Sequence, residues 1–235
     1  IFKTITLKLS PLPARKVMGL CHFPTFYEAM DAAQHLVKLD PVAVELIDDT
    51  MIKLARSISL FKSTVEKYVR GNPAALLVVE FAEEDPEINQ RKLKELESMM
   101  IDLGYGWDKP SDQRGGVVLL PDAADQALIT EMRKSGLNIM MSMNDEAKPV
   151  SFVEDCAVEL SDLAEYTDQL TKIFEKFGTT GTWYAHASVG CLHVRPVLNM
   201  KRSEGATTMR GIADEAFALV KRYGGSHSGE HGDGI

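Results

Sequence analysis

The stretch WYAHASVGCLHVRP, Trp183–Pro196, contains two β-like runs on either side of residues 189–190, Val-Gly. A tight turn at Val-Gly would pair the runs as an antiparallel hairpin. His186 would then stand opposite His193, with Cβ atoms about 5 Å apart on one face. Val-Gly lacks the Asn-Gly or Gly-first signature of two-residue turns, so a longer loop is the alternative. The longer loop would keep both histidines near one another in a looser register.

Further strands and helices are predicted on the N-terminal side of this hairpin, and one helix follows it. Alternating or β-branched runs predict strands at Phe2–Leu9, Val17–Phe23, Val42–Ile47, Leu76–Phe81, Phe152–Val158, Gly181–Ala187 and Leu192–Val197. Apolar periodicity and capping residues predict helices after Thr25 and at Pro86–Leu103, Asp122–Lys134, Ser161–Phe177 and Ser203–Tyr223. The order strand–helix–strand occurs twice. We therefore expect an α+β fold with a mostly antiparallel sheet, helices on one face and a duplicated ferredoxin-like arrangement.

The composition is that of a globular domain. Of the 235 residues, 45% are hydrophobic and 26% are charged. The net charge of −8 disfavours nucleic acid as a partner, because phosphate binding requires a basic surface. The sequence contains no apolar run long enough to span a membrane. Cys21, Cys156 and Cys191 are far apart in the chain, which favours reduced core thiols and a cytoplasmic protein.

The chain ends in SHSGEHGDGI, Ser226–Ile235, where glycines surround Glu230 and His231. Such a tail can pack close to a ligand, because glycine permits positive φ. Neither an initiator Met nor a signal pattern opens the chain. We therefore expect residues 1–235 to be a segment of a longer polypeptide.

The hairpin and the tail together predict a metal site. Two imidazoles on one hairpin face can share one divalent metal at roughly 2.0–2.1 Å per nitrogen, and Glu230 can add a carboxylate. Arg195 lies two residues after His193 and shares its face, where a guanidinium suits a carboxylate substrate. The alternative is a solvated hairpin face and a surface turn with incidental histidines.

Three motifs resemble a known family. GGSHSGEHGDGI is similar to the GG-x-x-SGEHGDG signature of FAD-linked oxidases and dehydrogenases of the vanillyl-alcohol-oxidase/p-cresol-methylhydroxylase type. The hairpin resembles the Y-G-H-x-G-D-G-N-L-H of the branch that acts on D-2-hydroxy acids such as D-lactate, glycolate and D-2-hydroxyglutarate. AKPVSFVEDCAVELSDLAEY, residues 147–166, resembles its K-P-x-x-F-x-E-D-x-A-V-P segment. The resemblance implies that residues 1–235 form the C-terminal cap, or substrate, domain. FAD would be held mainly by an N-terminal domain of the same chain, and the segment alone would be inactive.

The resemblance also implies roles for individual residues. His186, His193 and Glu230 match the metal ligands, with Zn or Mn as the metal, and His231 matches the base that removes the substrate hydroxyl proton. Lys148 and Arg133 match the family's contacts of the substrate carboxylate, and Arg195, which shares the His193 face, is expected to join them. The sequence departs from the family pattern at Ala185, Val189 and Cys191 in the hairpin and at Glu159 and Arg195.

These roles predict an oxidoreductase that oxidises a 2-hydroxy acid to a 2-oxo acid, with hydride transfer to FAD. An iron–sulfur domain or subunit is a candidate electron acceptor, and the expected location is cytoplasmic or peripheral to the inner membrane. Two alternatives remain open at this point. One is a non-catalytic α+β module that binds metal or a small anion, or mediates assembly. The other is a metal-dependent hydrolase, which would turn over without flavin.

Overall fold

The computed structural model describes residues 3–9, 12, 13, 15–110 and 114–232. The strands are β1 Val17–Phe23, β2 Ala43–Asp48, β3 Ala75–Phe81, β4 Gly116–Leu120, β5 Lys148–Pro149, β6 Val153–Ala157, β7 Gly181–His186 and β8 Cys191–Leu198. The helices are α1 Phe26–Leu36, α2 Asp49–Ser57, α3 Ser59–Tyr68, α4 Pro86–Asp102, α5 Ala123–Lys134, α6 Gly136–Met141, α7 Leu163–Lys176 and α8 Ser203–Arg222. None of these helices is both long enough and apolar enough to cross a bilayer.

The strands form two ferredoxin-like units within one sheet. In the first unit β1, α1, β2, β3, α4 and β4 occur in this order, with α2 and α3 inserted between β2 and β3, and the strands lie in the spatial order β4-β1-β3-β2. In the second unit β8 lies between β7 and β6, and Ser226 forms an antiparallel bridge to Ala157 of β6. All pairings between these strands are antiparallel, and β2 pairs with β7 to join the units. The predicted α+β class and duplicated ferredoxin-like arrangement are confirmed.

Helices pack on the sheet in two groups. Helices α1, α4, α7 and α8 share one apolar cluster with alternate strand residues such as Cys21 and Phe23 of β1. Helices α2, α3, α5 and α6 share a second cluster, which includes Met18 and Leu20 of the same strand. Successive strand residues point to opposite faces, so these clusters lie on opposite sides of the sheet. The prediction of helices on one face is therefore incomplete, since the first group covers one face of the sheet and the second group covers the other. Strands that are apolar on both sides require helices on both faces.

Other predicted elements differ from those observed. The strand predicted at Phe2–Leu9 is wrong: residues 3–9 form no strand, and Ile5, Leu7 and Leu9 are 62%, 74% and 84% exposed. Within the part of the chain that the structure describes, its alternating pattern has no partner strand against which to pack. Helices α2, α3 and α6 and strands β4 and β5 were not predicted. Helix α2 begins directly after β2, where the Asp48 side chain accepts a hydrogen bond from the Met51 backbone N–H.

The hairpin that carries the histidines closes through the longer loop. Ala187–Val189 form a 3-10 turn and Gly190 adopts φ 67°. His186 therefore pairs with Cys191, and His193 pairs with Tyr184. The tight turn at Val-Gly is wrong, since such turns require positive φ at their first central residue and a β-branched residue disfavours it. The register moves by two residues, so both imidazoles stay on one face.

Gly190 also makes a close approach to another segment. A Cβ atom there would lie 2.1 Å from the Val158 carbonyl oxygen. We expect Gly190→Ala to lower the free energy of unfolding by more than about 2 kcal/mol, because φ strain and steric conflict act together. Gly178 is a matched control: its φ is 68°, but a Cβ atom there would have no neighbour within 4 Å. Chemical denaturation should show only about 1 kcal/mol for Gly178→Ala, the cost of the left-handed backbone alone. Equal losses in the two variants would contradict the steric argument.

Candidate functional site

Three imidazole nitrogens converge on one carboxylate oxygen. The Nε2 atoms of His186, His193 and His231 lie 3.5, 3.1 and 3.5 Å from Glu230 Oε1. The rings of His186 and His193 are 5.1 Å apart between centroids, and those of His193 and His231 are 5.7 Å apart. Strands β7 and β8 supply the first two histidines and the glycine-rich tail supplies the rest. The structure therefore brings the hairpin and the tail to one point.

Two further glutamates contact the opposite nitrogens of the hairpin histidines. Glu45 of β2 lies across the ladder from His186, and its oxygens are 2.9 and 3.1 Å from Nδ1. Glu154 of β6 lies across from His193, with Oε1 3.2 Å from Nδ1 in an ion-pair contact whose N–H is not aligned for a hydrogen bond. A carboxylate only accepts, so these contacts favour a proton on Nδ1. A neutral imidazole with its proton on Nδ1 has a lone pair on Nε2, and a cation between Nε2 and Glu230 would accept both that lone pair and the carboxylate charge.

Charge favours cations at this site. The hydrogen bond that His186 donates to Glu45 raises the pKa of His186 above its usual range, against the effect of burial, and a bound metal would have to compete with the proton on this imidazole. Burial acts to raise the pKa of Glu154, but His193 and Arg195 overcome that effect and hold the pKa below its usual range. Glu154 is therefore an ionised carboxylate within the protein.

Each of these glutamates also binds an arginine. Arg133, from α5, donates through Nη2 to Glu45 and lies over the Tyr184 ring, 4.6 Å from its centroid. Arg195 makes a bidentate contact with Glu154, with Nε–Oε2 and Nη2–Oε1 distances of 3.0 and 2.9 Å. Both guanidinium groups are therefore held in fixed orientations.

A cavity of about 260 Å³ opens beside the convergence point. Its wall combines cations, two apolar side chains of α6 and the histidine–glutamate group: Arg133, Lys134, Leu137, Met140, Glu154, Tyr184, His193, Arg195, Glu230 and His231. The cations favour a small anion. Lys148 is not part of this lining. It lies in β5, opposite Leu198, and its Nζ donates to the Met143 carbonyl.

Asp155 holds the tail against the sheet. Its backbone has φ 77°, and its side chain is buried. The carboxylate accepts hydrogen bonds from the backbone N–H groups of Glu230 at 3.0 Å and His231 at 2.9 Å. It also accepts from the Cys191 thiol and the Ser228 hydroxyl, each at 3.2 Å. Asp155 thereby positions the backbone of Glu230 and His231.

The donor set fits a divalent metal. Ligand atoms of Asp155, His193, Glu230 and His231 all lie within 4.8 Å of one another, a group that includes Asp155 and leaves out His186. The oxygens of Asp155 are already occupied by N–H, O–H and S–H donors. The Nε2 atoms of all three histidines instead lie within 3.5 Å of Glu230 Oε1. Nitrogen and carboxylate donors of this kind suit Zn²⁺ or Mn²⁺.

Asp155 also gives a pH-dependent prediction. Burial acts to raise its pKa, but hydrogen bonds from the backbone of His231 and Glu230 overcome this and lower the pKa to about 2 from 3.8. The lowered pKa contributes on the order of 2 kcal/mol of stability. This contribution is fully present above the unfolded pKa of 3.8 and is lost as pH falls toward 2. Asp155→Asn keeps one acceptor oxygen and a residue that tolerates positive φ.

We therefore expect urea unfolding to show Asp155→Asn less stable than the wild type at pH 7, with the gap narrowing as pH falls from 5 toward 2. Asp85→Asn is the control, since Asp85 is an exposed aspartate that caps α4 far along the chain from the tail. A gap for Asp155→Asn that did not change with pH would show that the ionised carboxylate is not its source.

Much of this site was predicted from the sequence, but its supporting residues were not. The structure brings together the predicted residues Arg133, His186, His193, Arg195, Glu230 and His231. It adds Glu45, Glu154, Asp155 and Tyr184. The sequence does carry a signal for Glu45, Glu154 and Asp155. Acidic residues stand inside otherwise apolar strands, in AVELI and FVEDCAV. A buried carboxylate of this kind needs a partner, and therefore marks a site.

Comparison with known proteins identifies the family. The model of the family described as "FAD linked oxidases, C-terminal domain" matches residues 12–235. This chain belongs to that family. The resemblance read from the three motifs is thereby confirmed.

Curated relatives share the family across nearly the whole chain. The D-2-hydroxyglutarate dehydrogenases of Pseudomonas putida and Pantoea ananatis are 30% and 32% identical to it, over 97% of this chain and 22% of each relative. The chain thus spans about a fifth of the length of these relatives.

Solved structures of vanillyl-alcohol-oxidase/p-cresol-methylhydroxylase flavoproteins share the fold. 4-Ethylphenol oxidase from Gulosibacter chungangensis superposes with a TM-score of 0.64 at 8% identity, over 94% of this chain and 46% of that one. p-Cresol methylhydroxylase does so with a TM-score of 0.57 at 12% identity, over 92% and 45%. At these identities the likeness concerns the fold alone.

Proposed function

We propose that residues 1–235 form the substrate domain of a flavin-dependent D-2-hydroxyacid dehydrogenase, which oxidises a 2-hydroxy acid to a 2-oxo acid. The observation that carries the proposal is the convergence of three Nε2 atoms on Glu230 beside a cation-lined cavity. The family membership and the names of the relatives support it.

The proposed metal ligands are His186, His193 and Glu230, and the donor atoms fit Zn²⁺ or Mn²⁺. Such a metal, when bound, would act as a Lewis acid toward the oxygens of a 2-hydroxy acid. Glu45 and Glu154 hold the two hairpin imidazoles with their Nε2 atoms toward Glu230. The protein therefore keeps its donors pre-oriented.

Arg133 and Arg195 are proposed to bind the substrate carboxylate. Both line the cavity, and each is fixed by a glutamate, so their remaining N–H donors have defined directions. The Nε atom of Arg133 is buried and has no hydrogen-bond partner among the described residues. Lys148 would need to release the Met143 carbonyl before it could contribute.

His231 is the proposed base. Its ring lines the cavity, and its side chain is 45% exposed, so it is accessible from the cavity. It would take the substrate hydroxyl proton at Nε2, a role that suits an imidazole near neutral pH. Asp155 fixes its backbone. FAD, held mainly by a further domain of the same chain, would supply the hydride acceptor.

The remaining partners are also proposals. The similarity of VGCLHVRPVLN to large family members with a fused iron–sulfur domain favours such a domain, or a separate subunit, as the electron acceptor. We propose a cytoplasmic location, with or without peripheral association with the inner membrane.

The test uses the whole protein that carries this domain together with its FAD. Paired D- and L-2-hydroxy acids are offered with an artificial electron acceptor, before and after treatment with a chelator. We expect D-specific flavin reduction and 2-oxo acid formation, loss of both after chelation, and recovery with Zn²⁺ or Mn²⁺. Turnover without flavin would favour a hydrolase instead. Metal or anion binding with no turnover of any acid would favour the non-catalytic module.

A further inference from the structure

Glu45 and Glu154 make the same pair of contacts from opposite sides of the site. Glu45 contacts His186 Nδ1 and Arg133, whereas Glu154 contacts His193 Nδ1 and Arg195. We propose that these glutamates are positioning residues. Each one holds a metal-binding histidine and a substrate-binding arginine in a fixed position relative to each other. The inference rests on the proposed function, and it concerns residues to which neither the motifs nor the relatives assign a role.

The burial of both glutamates supports this role. Their side chains are 14% and 7% exposed. A carboxylate at such a depth destabilises the fold unless it is paired and hydrogen-bonded. One arginine would be enough to pair each charge. The additional contact with an imidazole Nδ1 is therefore not needed for charge neutralisation, but it is what directs Nε2 toward Glu230.

The topology explains why there are two such residues. Glu45 lies opposite His186 in the β2–β7 ladder, which joins the ferredoxin-like units. Glu154 lies opposite His193 in the β6–β8 ladder of the second unit. Directly opposed strand residues share a face at close range, so each glutamate reaches its histidine without a flexible loop. The first unit thus orients one ligand and the second unit orients the other.

The contacts with arginine extend the effect to the substrate. Because Glu154 contacts both His193 and Arg195, a change at Glu154 should disturb metal binding and substrate binding together. A residue that only stabilised the fold would change neither property in the folded protein. The two possibilities therefore differ in a measurable way.

The experiment compares Glu45→Gln and Glu154→Gln in the whole, FAD-loaded protein. The metal dissociation constant is measured on chelator-treated protein by competition of Zn²⁺ with a chromophoric chelator. We expect each variant to bind Zn²⁺ about 10- to 100-fold more weakly than the wild type. KM for the hydroxy acid should rise in both variants. Glu80→Gln is the matched control, since Glu80 is a glutamate near the end of β3 that pairs with Lys16, and it should change neither quantity.

The outcomes are distinguishable. A wild type that binds Zn²⁺, with both folded glutamine variants at unchanged affinity, would overturn the positioning role and leave the proposed function intact. A wild type that binds no divalent metal would overturn the metal site itself, and the inference with it. Glu45→Asp and Glu154→Asp serve if a glutamine variant fails to fold, because they keep the charge but shorten the reach. Zn²⁺ affinity equal to wild type in the aspartate variants would likewise contradict positioning.

Discussion

His231→Gln is expected to reduce turnover by about 100- to 10,000-fold while the divalent metal stays bound. Glutamine is neutral and polar but cannot accept the substrate proton at neutral pH. The backbone N–H of residue 231 still donates to Asp155, so the tail should keep its place. The predicted loss therefore concerns proton transfer, and not assembly of the site.

The measurement is flavin reduction by a D-2-hydroxy acid under single-turnover conditions, together with metal content, in the whole protein. His227→Gln is the control, because His227 belongs to the same tail but packs against Phe217, 5.5 Å away between ring centroids. Turnover in His231→Gln within a few-fold of the wild type would exclude His231 as the base. Loss of metal in His231→Gln would instead identify its Nε2 as a ligand, which the 3.5 Å approach to Glu230 makes a specific alternative.

The local parts of the site could be predicted from sequence. The hairpin histidines are seven positions apart around a glycine, and Glu230 and His231 are adjacent, so their proximity depends on short-range geometry and on the motif. The predicted turn was wrong, but His186 and His193 still lie on one face of the sheet. A two-residue register shift preserves the face of each side chain.

The supporting residues could not be predicted in the same way. Glu45 and His186 are 141 positions apart, and they meet only because β2 pairs with β7 across the join between the units. Such pairings follow from the packing of the entire sheet, which local periodicity does not encode. The same limit applies to Asp155, whose positive φ and contacts with the tail arise from tertiary structure.

In the fold, too, features set by local sequence were predicted and features set by long-range packing were not. The predicted duplication followed from the order of strands and helices, and it is confirmed by the strand order of the two units. Helices α2 and α3 were missed because they are short and joined directly at Ile58, so neither shows a long periodic run. The second apolar face of the first unit depends on these helices and was missed for the same reason.

Glu230→Gln is expected to weaken metal binding by more than about 100-fold, because loss of a ligand should exceed the 10- to 100-fold effect of removing a residue that only orients one. Glutamine has nearly the same shape and keeps the backbone N–H that donates to Asp155. It lacks the charge that draws a cation to the three imidazoles. Turnover should fall with metal occupancy, and added Zn²⁺ or Mn²⁺ at high concentration should restore part of it.

Metal competition and turnover are measured on the same FAD-loaded samples, with Glu159→Gln as the control, because Glu159 is exposed and contacts none of the convergent groups. Partial rescue by metal separates this variant from His231→Gln, in which excess metal should restore nothing. Unchanged metal affinity in Glu230→Gln would mean that the convergence of Nε2 atoms on this oxygen is an ion-pair cluster of the folded tail. The hydroxy acid would then have to be bound by the arginines alone.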